Sequence, residues 1–312
     1  MNAEFEDTRR HDLIKHIAKA MSDARIPFTQ AVWATLWLSD LENLQAMVNE
    51  PRVMNISTLV ADMAYEKIVK PWNTRSCSSA PMTSLELSPE AQLSTSEIPP
   101  RINRCKIRDN EQCILTKAGY VVEVAHIYPS SLQGQEAKSA FFWQALRVFW
   151  TAERTKRWEK DVFGPNTNTC ANLVTMAPHT HAYWDGALFA LKPLGKSEDE
   201  SKMEMQFFWL RPTSLSSPVI LDIPPSIPTD YDSSVVKVKL FDCEVDKKLC
   251  SGDRIVITTD DPINRPLPSY NLLEMQWVLH RLTALCGEGE IASPSSSDEE
   301  GSEGERGSLT VE

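Results

Sequence analysis

The sequence lacks the features of a membrane-spanning or exported protein. Hydrophobic residues make up 42% of its 312 residues, yet no run approaches the roughly 18 consecutive apolar residues that a membrane helix needs. The first seven residues contain acids where a secretory or transit peptide would carry bases and an apolar stretch. These absences predict a soluble chain that is not secreted. Its length allows one large or two modest domains.

A disulfide framework is also absent. The chain has seven cysteines, an odd number, and they are scattered from Cys77 to Cys286 rather than grouped at regular spacings. Oxidising compartments favour paired cysteines, so this pattern indicates a reducing, intracellular setting. We therefore expect a nuclear or cytoplasmic location.

An excess of positive charge is missing as well, since the net charge is −11. Proteins that bind nucleic acid rely on Lys and Arg to neutralise phosphate. From Gly287 onward, however, eight acids accompany one base, so this tail accounts for −7 and the remainder carries −4. Residues 101–162 contain eleven bases and seven acids, a local net charge of +4. The centre of the chain therefore suits a polyanion, although a solvated helix face explains any single base equally well.

The N-terminal part of the sequence predicts helices. Apolar residues recur every three to four positions from Asp12 to Met21, from Ala31 to Val48 and from Ile56 to Val69. Pro51 is expected to separate the second helix from the third. We therefore predict that residues 1–72 form a helical domain.

Two further segments have the composition of loops. Residues 73–100 are rich in Ser, Thr and Pro and predict a linker. The acidic tail, residues 287–312, is too polar to bury a core and predicts disorder.

Between these segments the C-terminal part predicts strands and a closing helix. Residues alternate between apolar and polar from Met205 to Trp209, from Val236 to Leu240 and from Ile255 to Ile257, and Tyr270–Leu285 shows helical spacing. We expect residues 196–286 to form a small β layer and helix packed on the central domain. The predicted fold class is α+β.

Four short motifs stand in the centre of the chain. An apolar strand from Tyr120 to Val124 would deliver His126 at its end. Pro178 can occupy the first turn of a helix that carries His181 and Asp185 four residues apart on one face. A histidine at a strand end facing a histidine and a carboxylate on a helix can form a metal and general-base site. The motifs are Cys113-Ile-Leu-Thr116, Ala125-His-Ile-Tyr-Pro129, Asn172-Leu-Val-Thr-Met176 and His181-Ala-Tyr-Trp-Asp-Gly186.

The order of these motifs, with Leu-Phe-Ala-Leu-Lys-Pro193 after the last, resembles the HNH endonuclease domain in the form common among fungal proteins. The resemblance implies that residues 101–195 fold as two strands and a helix around one divalent cation, and that they cleave phosphodiester bonds of DNA. It implies three catalytic residues: His126 as the general base, His181 as a ligand of the cation, and Asn172. The asparagine would either ligate the cation or tie the loop that orients the histidine. The cation could be Mg²⁺, Mn²⁺, Zn²⁺ or Ni²⁺.

One departure from the HNH pattern concerns the cation. Many HNH nucleases carry Asp or His immediately before the general base, where it ligates the metal, whereas this chain has Ala125. Glu123 shares strand parity with Ala125, and Asp185 shares a helix face with His181, so either carboxylate could replace the missing ligand. His179 would point away from that face and is expected at the surface.

A second departure concerns a structural zinc. Many HNH domains hold one between two C-x-x-C pairs, but here Thr116 stands at the second position of the first pair and Cys170 stands alone. Four ligands cannot be assembled at the required spacing, so a structural zinc is not expected. Cys105, Cys113 and Cys170 are instead expected to be small buried residues.

An aromatic insertion, Ala140 to Val162, separates the histidine strand from the asparagine loop. Its aromatic residues show helical spacing and are expected to pack in the core rather than stack on bases. The bases on its polar side are the candidates for contact with DNA: Lys138, Arg147, Arg154, Lys156 and Arg157.

The alternative hypothesis is a catalytically degenerate HNH fold that serves as an interaction or nucleic-acid-binding protein. In that case the aromatic helices would make the contacts, and the acidic tail would recruit a basic partner. The missing ligand at Ala125 and the absent zinc pairs favour this hypothesis. Binding of a divalent ion that is lost in His181→Ala would count against it.

Overall fold

The computed structural model describes residues 4–73, 100–132, 136–212, 219–231 and 237–287, with only the backbone described for residues 136–139. Its α-helices are α1 (Thr8–Asp23), α2 (Gln30–Leu38), α3 (Leu41–Asn49), α4 (Pro51–Asp62), α5 (Lys70–Asn73), α6 (Pro100–Arg108), α7 (Glu136–Phe149), α8 (Ala152–Val162), α9 (Pro178–Asp185) and α10 (Tyr270–Leu285). Its strands are β1 (Glu123–His126), β2 (Leu173–Met176), β3 (Phe189–Lys196), β4 (Lys202–Trp209), β5 (Phe241–Asp242), β6 (Lys247–Lys248) and β7 (Arg254–Thr258). These elements, with their small antiparallel sheets, confirm the α+β class.

Local sequence signals place the first helices. α1 begins where the Asp7 carboxylate accepts the backbone N–H of Arg10, and Pro51 occupies the first turn of α4 as expected. The apolar periodicity that extends to Val69 continues beyond α4 as a π-helical turn, Tyr65–Val69, which leads into α5. The predicted third helix is therefore present but irregular towards its C-terminal end.

The second predicted helix, from Ala31 to Val48, is wrong in one respect, because it is two helices. Ser39 is extended between α2 and α3. The carboxylate of the next residue, Asp40, accepts the backbone N–H of Thr151 at 2.8 Å and a guanidinium N–H of Arg154 at 2.6 Å. Contacts from the distant helix α8 therefore accompany the break, and local periodicity cannot show them.

The aromatic insertion also forms two helices, since α7 ends and α8 begins around Trp150 and Thr151. Trp150 and Trp158 are fully buried. Their indole N–H groups donate to the Leu38 carbonyl at 3.0 Å and to the Glu274 carboxylate at 2.9 Å. The aromatic face is core, as expected, and it fastens the insertion to α2 and α10.

The C-terminal part is a three-stranded sheet, β3-β4-β7, with α10 packed on β3. β4, β7 and α10 were all anticipated by their periodicity, whereas β3 was not. Pro193 and Gly195 interrupt the pattern of β3 and lie where its register shifts against β4. In its described part, the predicted strand from Val236 to Leu240 is reduced to a single β-bridge at Lys237, and the next ladder begins at Phe241. Its alternation matches the burial of residues 238 and 240, and the Leu240 carbonyl accepts the backbone N–H of Leu249 at 2.9 Å.

β1 and β2 form a separate two-stranded antiparallel sheet in which Glu123 pairs with Met176 and His126 with Leu173. The predicted strand from Tyr120 to Val124 is shifted, since β1 begins only at Glu123. Tyr120 has a φ of 69°, in the left-handed region, which is incompatible with an extended strand. His126 still ends the strand, as the sequence predicted.

The buried hydrophobic residues form one continuous cluster from Phe5 to Cys286, so the N-terminal helices, the insertion and the C-terminal sheet share a core. A second, small cluster lies between α6 and β2. The predicted linker and acidic tail fall almost wholly outside the described residues, and the division into domains stays a prediction. Within the described ranges, every helix is too short or too polar to cross a bilayer.

Candidate active site

His126 is the last residue of β1, and its side chain is half-buried. Its backbone carbonyl accepts the indole N–H of Trp184, a fully buried residue of α9, at 3.1 Å. Large buried aromatic side chains contribute strongly to packing, so this contact holds the C-terminal half of α9 beside the end of β1. The strand that carries one predicted histidine and the helix that carries the other are therefore fixed to each other.

The side chain of Asn172 ties down the chain that follows His126. Its Oδ1 accepts the backbone N–H of Tyr128 at 2.7 Å, and its Nδ2 donates to the backbone carbonyls of Tyr128 at 3.2 Å and Thr167 at 3.4 Å. The backbone carbonyl of Asn172 also accepts the N–H of Ile127 at 2.9 Å. Asn172 is fully buried. Of the two roles that the sequence left open, this geometry supports positioning of the loop.

Two carboxylates converge on the imidazole of His181 in α9. Nδ1 lies 2.7 Å from Oε2 of Glu123, and Nε2 lies 3.4 Å from Oδ2 of Asp185. The His181 side chain is 23% exposed, against 48% for Glu123 and 38% for Asp185. The cluster is therefore open to solvent and to a ligand. Pro178 occupies the first turn of α9, as predicted.

The register of the small sheet assigns the two histidines to different faces. Neighbours along a strand alternate between faces, and directly opposed residues share one. Glu123 and the buried Ala125 therefore lie on the face covered by α9, whereas Val124 and His126 lie on the face covered by α6. Glu123 is on the side of the strand where the ligand missing at Ala125 would project.

Hydrogen bonding at His181 shows what the cluster can bind. A neutral imidazole has one N–H and one unprotonated ring nitrogen, and that second nitrogen can coordinate a cation. Carboxylate oxygens and imidazole nitrogens are suitable ligands of divalent cations. Glu123 and Asp185 contact opposite ring nitrogens, however, and among the described residues no three His, Cys, Asp or Glu side chains are arranged to hold a metal ion. The donors fit a cation held by two side chains, with its other positions left to water and phosphate.

Arg154, predicted to contact DNA, is instead surrounded by acids. Its guanidinium lies 2.6 Å from the Asp40 carboxylate and 3.1 Å from that of Glu274, and its side chain is 19% exposed. It therefore links α8 to the start of α3 and to α10. Lys138, another predicted contact, has a side chain outside the described residues.

The other predicted contacts lie on the outer side of α7 and α8. Arg147 pairs with Glu159, and Arg157 lies 3.2 Å from Glu153. Lys156 is exposed. Carboxylates thus compensate most of the positive charge on this surface.

A buried ion pair that the sequence did not reveal lies on the opposite side of the small sheet from α9. Arg108 and Asp109 are fully buried, and the guanidinium donates twice to the carboxylate, at 2.8 and 3.0 Å. It also donates to three backbone carbonyls, at 2.8 to 2.9 Å, which belong to Cys170, Leu173 and Pro266. In the sequence this pair resembles an ordinary charged turn.

The groups around this ion pair have altered acidities. Burial lowers the pKa of Arg108, but the Asp109 carboxylate and the nearby Cys105 and Cys170 together raise it, so the net pKa lies above its usual range. Burial also raises the pKa of the thiols of Cys105 and Cys170. Both cysteines, like Cys113, are buried as expected. Because a thiol must ionise to react, this burial disfavours reaction at both thiols.

A comparison with known families bears on the region that carries these residues. Residues 105–192 match a family model described as HNH endonuclease. The match begins in α6 and ends in β3, so it contains His126, Asn172 and His181 and confirms the resemblance seen in the sequence. It indicates a nuclease-type function and nucleic-acid binding, and such domains generally use a divalent metal ion. Comparison with curated proteins and with solved structures gives no match.

Proposed function

We propose that this chain is a metal-dependent HNH endonuclease that hydrolyses phosphodiester bonds of DNA. The observation that carries the proposal is that two contacts hold the residues of the site in place beside β1. Asn172 holds the loop directly after His126, and α9 brings His181 to Glu123 on the same strand. The domain match supports the reaction class.

In this proposal His126 is the general base. Hydrolysis of a phosphodiester needs a water molecule to lose a proton as it attacks, and an imidazole titrates near neutral pH. The strand end aims the ring, because Trp184 holds the carbonyl of His126 and Asn172 holds the two residues that follow it. Asn172 acts as a positioning residue, since its amide is buried and bonded to the backbone.

His181 would hold the divalent cation together with either Glu123 or Asp185. When bound, such an ion offsets the negative charge that develops on the phosphate and the leaving oxygen. Glu123 would replace the ligand that is missing at Ala125, because it lies on the same face of β1 and already contacts His181. Either ring nitrogen of His181 has a carboxylate next to it, so the protein offers a two-residue site on each side of the ring.

Cleavage of plasmid DNA tests the proposal. Purified protein is incubated with plasmid and with Mg²⁺, Mn²⁺, Zn²⁺ or Ni²⁺ in turn, and nicked and linear products are measured. His126→Ala should lower the rate by about 10²- to 10⁴-fold, the usual contribution of a general base. His179→Ala is the matched control, because His179 is exposed on α9 two residues from His181. Cutting that survives His126→Ala would remove His126 from the role of base.

One observation favours a second candidate function, a degenerate HNH domain that binds without cutting. Ala125 supplies no ligand, and the described residues hold no preformed three-ligand site. Calorimetric titration of the folded protein with Mn²⁺ separates the two functions. Absence of ion binding by a protein that is still folded would favour the second function, and ion binding lost in His181→Ala would favour the endonuclease.

A further inference from the structure

Helix α6 concentrates positive charge without compensating acids. Its nine residues include four bases and no acid. One of the four, Arg108, is buried in the ion pair with Asp109. Arg104 is exposed and Arg101 is half-buried, and the two lie one helical turn apart on neighbouring positions of the helix surface. Among the described residues, no carboxylate lies within ion-pair distance of Arg101 or Arg104.

Arg101 and Arg104 line an open cleft between α6, the 3-10 turns before β2, and the loop that precedes α10. The described lining residues include no Asp or Glu. The Nε–H of Arg101 is buried away from solvent and has no acceptor among the described residues. A buried donor without an acceptor costs free energy, so this guanidinium is suited to an anion that enters the cleft. The polar and charged lining residues are Arg101, Arg104, Asn168, Thr169 and Asn264.

The cleft borders the face of the small sheet on which His126 lies. Cys105 of α6 packs with Cys170 and Leu173 in the second hydrophobic cluster, and Val124 packs against that cluster. Leu173 is the cross-strand partner of His126, and Val124 has the same strand parity. Cys170 also lines the cleft. Arg101, Arg104 and the proposed general base are therefore on one side of the sheet.

We infer that this cleft binds the sugar–phosphate backbone of the nucleic acid on the side of the small sheet that carries His126. The inference rests on the proposed function for its substrate class. Arginine guanidinium groups bind phosphate oxygens through paired N–H donors, and the amide of Asn168 is exposed for a further hydrogen bond. The bases of α7 and α8 differ, because Arg147, Arg154 and Arg157 already contact carboxylates. Phosphate binding thus belongs to α6 rather than to the surface that the sequence suggested.

Binding of duplex DNA in the presence of EDTA tests this inference separately from cleavage. The double variant R101A/R104A is compared with K156A/R157A, which removes the same number of charges from α8. We expect R101A/R104A to bind about tenfold more weakly at moderate salt, with a slope of log K against log salt that is shallower by about 2, whereas the α8 variant stays close to the unaltered protein. The charge-reversal variant R104E should weaken binding too. Because Arg104 is exposed, that change is compatible with folding, which thermal melting verifies.

The outcomes separate the two proposals. Unchanged affinity in both R101A/R104A and R104E, a larger loss in K156A/R157A, or absence of DNA binding by the unaltered protein would overturn the inference. A protein that binds DNA through Arg101 and Arg104 but cuts with none of the four metals would instead overturn the proposed endonuclease and leave the cleft assignment in place.

Discussion

The two faces of the β1–β2 sheet hold charged groups in opposite ways. On the α6 face, Arg108 and Asp109 are fully buried and matched in charge, and the guanidinium makes bonds to one carboxylate and to several carbonyls. On the α9 face, one imidazole stands between Glu123 and Asp185, and all three side chains are partly exposed. The first arrangement leaves nothing for a ligand, whereas in the second a neutral imidazole keeps one unprotonated nitrogen with a carboxylate next to it.

This difference shows how a small sheet can be rigid on one face and open to a ligand on the other. A buried charge is costly unless it is paired and hydrogen-bonded. Arg108 therefore needs both Asp109 and its backbone carbonyls to be stable in the interior. Exposed ion pairs contribute little to stability. The α9 face can therefore exchange partners without unfolding the protein, which a cation site requires.

Breaking the buried ion pair on the α6 face should have the largest effect on stability. Asp109→Ala leaves the Arg108 charge buried and unpaired, and we expect the free energy of unfolding to fall by about 3–5 kcal/mol in denaturant titrations. The double variant R108M/D109N removes both charges but keeps an acceptor for the Thr175 N–H, which Asp109 binds at 2.9 Å. It should cost less than the single change. A double variant that is less stable than Asp109→Ala would contradict this account.

Loosening the loop that follows His126 should have the second-largest effect on stability. Asn172→Ala deletes the buried hydrogen bonds to Tyr128 and Thr167, and unsatisfied backbone groups should lower stability by about 2 kcal/mol. DNA cleavage, measured well below the unfolding temperature, should fall as His126 loses its fixed position. Asn168→Ala is the matched stability control, because Asn168 is exposed near the same loop. If both asparagine variants are equally stable, the side-chain hydrogen bonds of Asn172 contribute nothing to stability.

The exposed face should respond in ion binding rather than in stability. Glu123→Gln and Asp185→Asn each remove one carboxylate charge beside His181, and we expect each to lower the affinity for Mn²⁺ by about tenfold. The free energy of unfolding should change by only about 0.5 kcal/mol, as for other surface substitutions. Calorimetry of these variants beside Glu153→Gln, an exposed acid on α8, measures both. A large loss of stability with unchanged ion affinity would reverse the assignment of the two faces.

The smallest effect concerns pH. Burial raises the pKa of the Cys105 thiol well above the ordinary 9.0. The folded protein therefore keeps this thiol neutral where the unfolded chain would ionise it. The contribution of the thiol to the free energy of unfolding is fully present below pH about 9 and is lost as the pH rises further. Between pH 8.5 and 10 this thiol should contribute about 1 kcal/mol to the loss, because only the unfolded chain ionises freely. Cys105→Ala should flatten the dependence of stability on pH over that range. An identical slope in the variant would show that other groups cause the loss.

Sequence reasoning located the parts of the site that depend on nearby residues. The helical spacing of His181 and Asp185, with Pro178 at the start of the helix, predicted α9. The apolar pattern before Pro129 predicted a strand that ends at His126, although the strand starts later than expected. Local periodicity and turn residues were sufficient for these features.

Features that depend on distant partners escaped sequence reasoning. Arg108 and Asp109 look like a solvated turn until β2 and the loop before α10 supply carbonyls and an N–H. Arg154 looks like a free base on a polar helix face until the carboxylates of Asp40 and Glu274 are placed beside it. Nothing in the local pattern of either segment records these contacts, because they join residues far apart in the chain.

The pairing of β1 with β2 also has a consequence for the order of folding. The two strands enclose residues 127–172, a loop of 46 residues that contains α7 and α8. Closing a flexible loop of this length costs about 3 kcal/mol of chain entropy. Since α8 packs on α10, and Asp40 binds the start of α8, the insertion can compact only on a largely assembled core.

We expect the amide of Ile127, bonded to Asn172, to gain protection late in pulse-labelled hydrogen exchange during refolding, after the amides within α10. A partly folded chain would then carry no assembled site next to His126. Simultaneous protection of both sets of amides would show that the small sheet forms with the core.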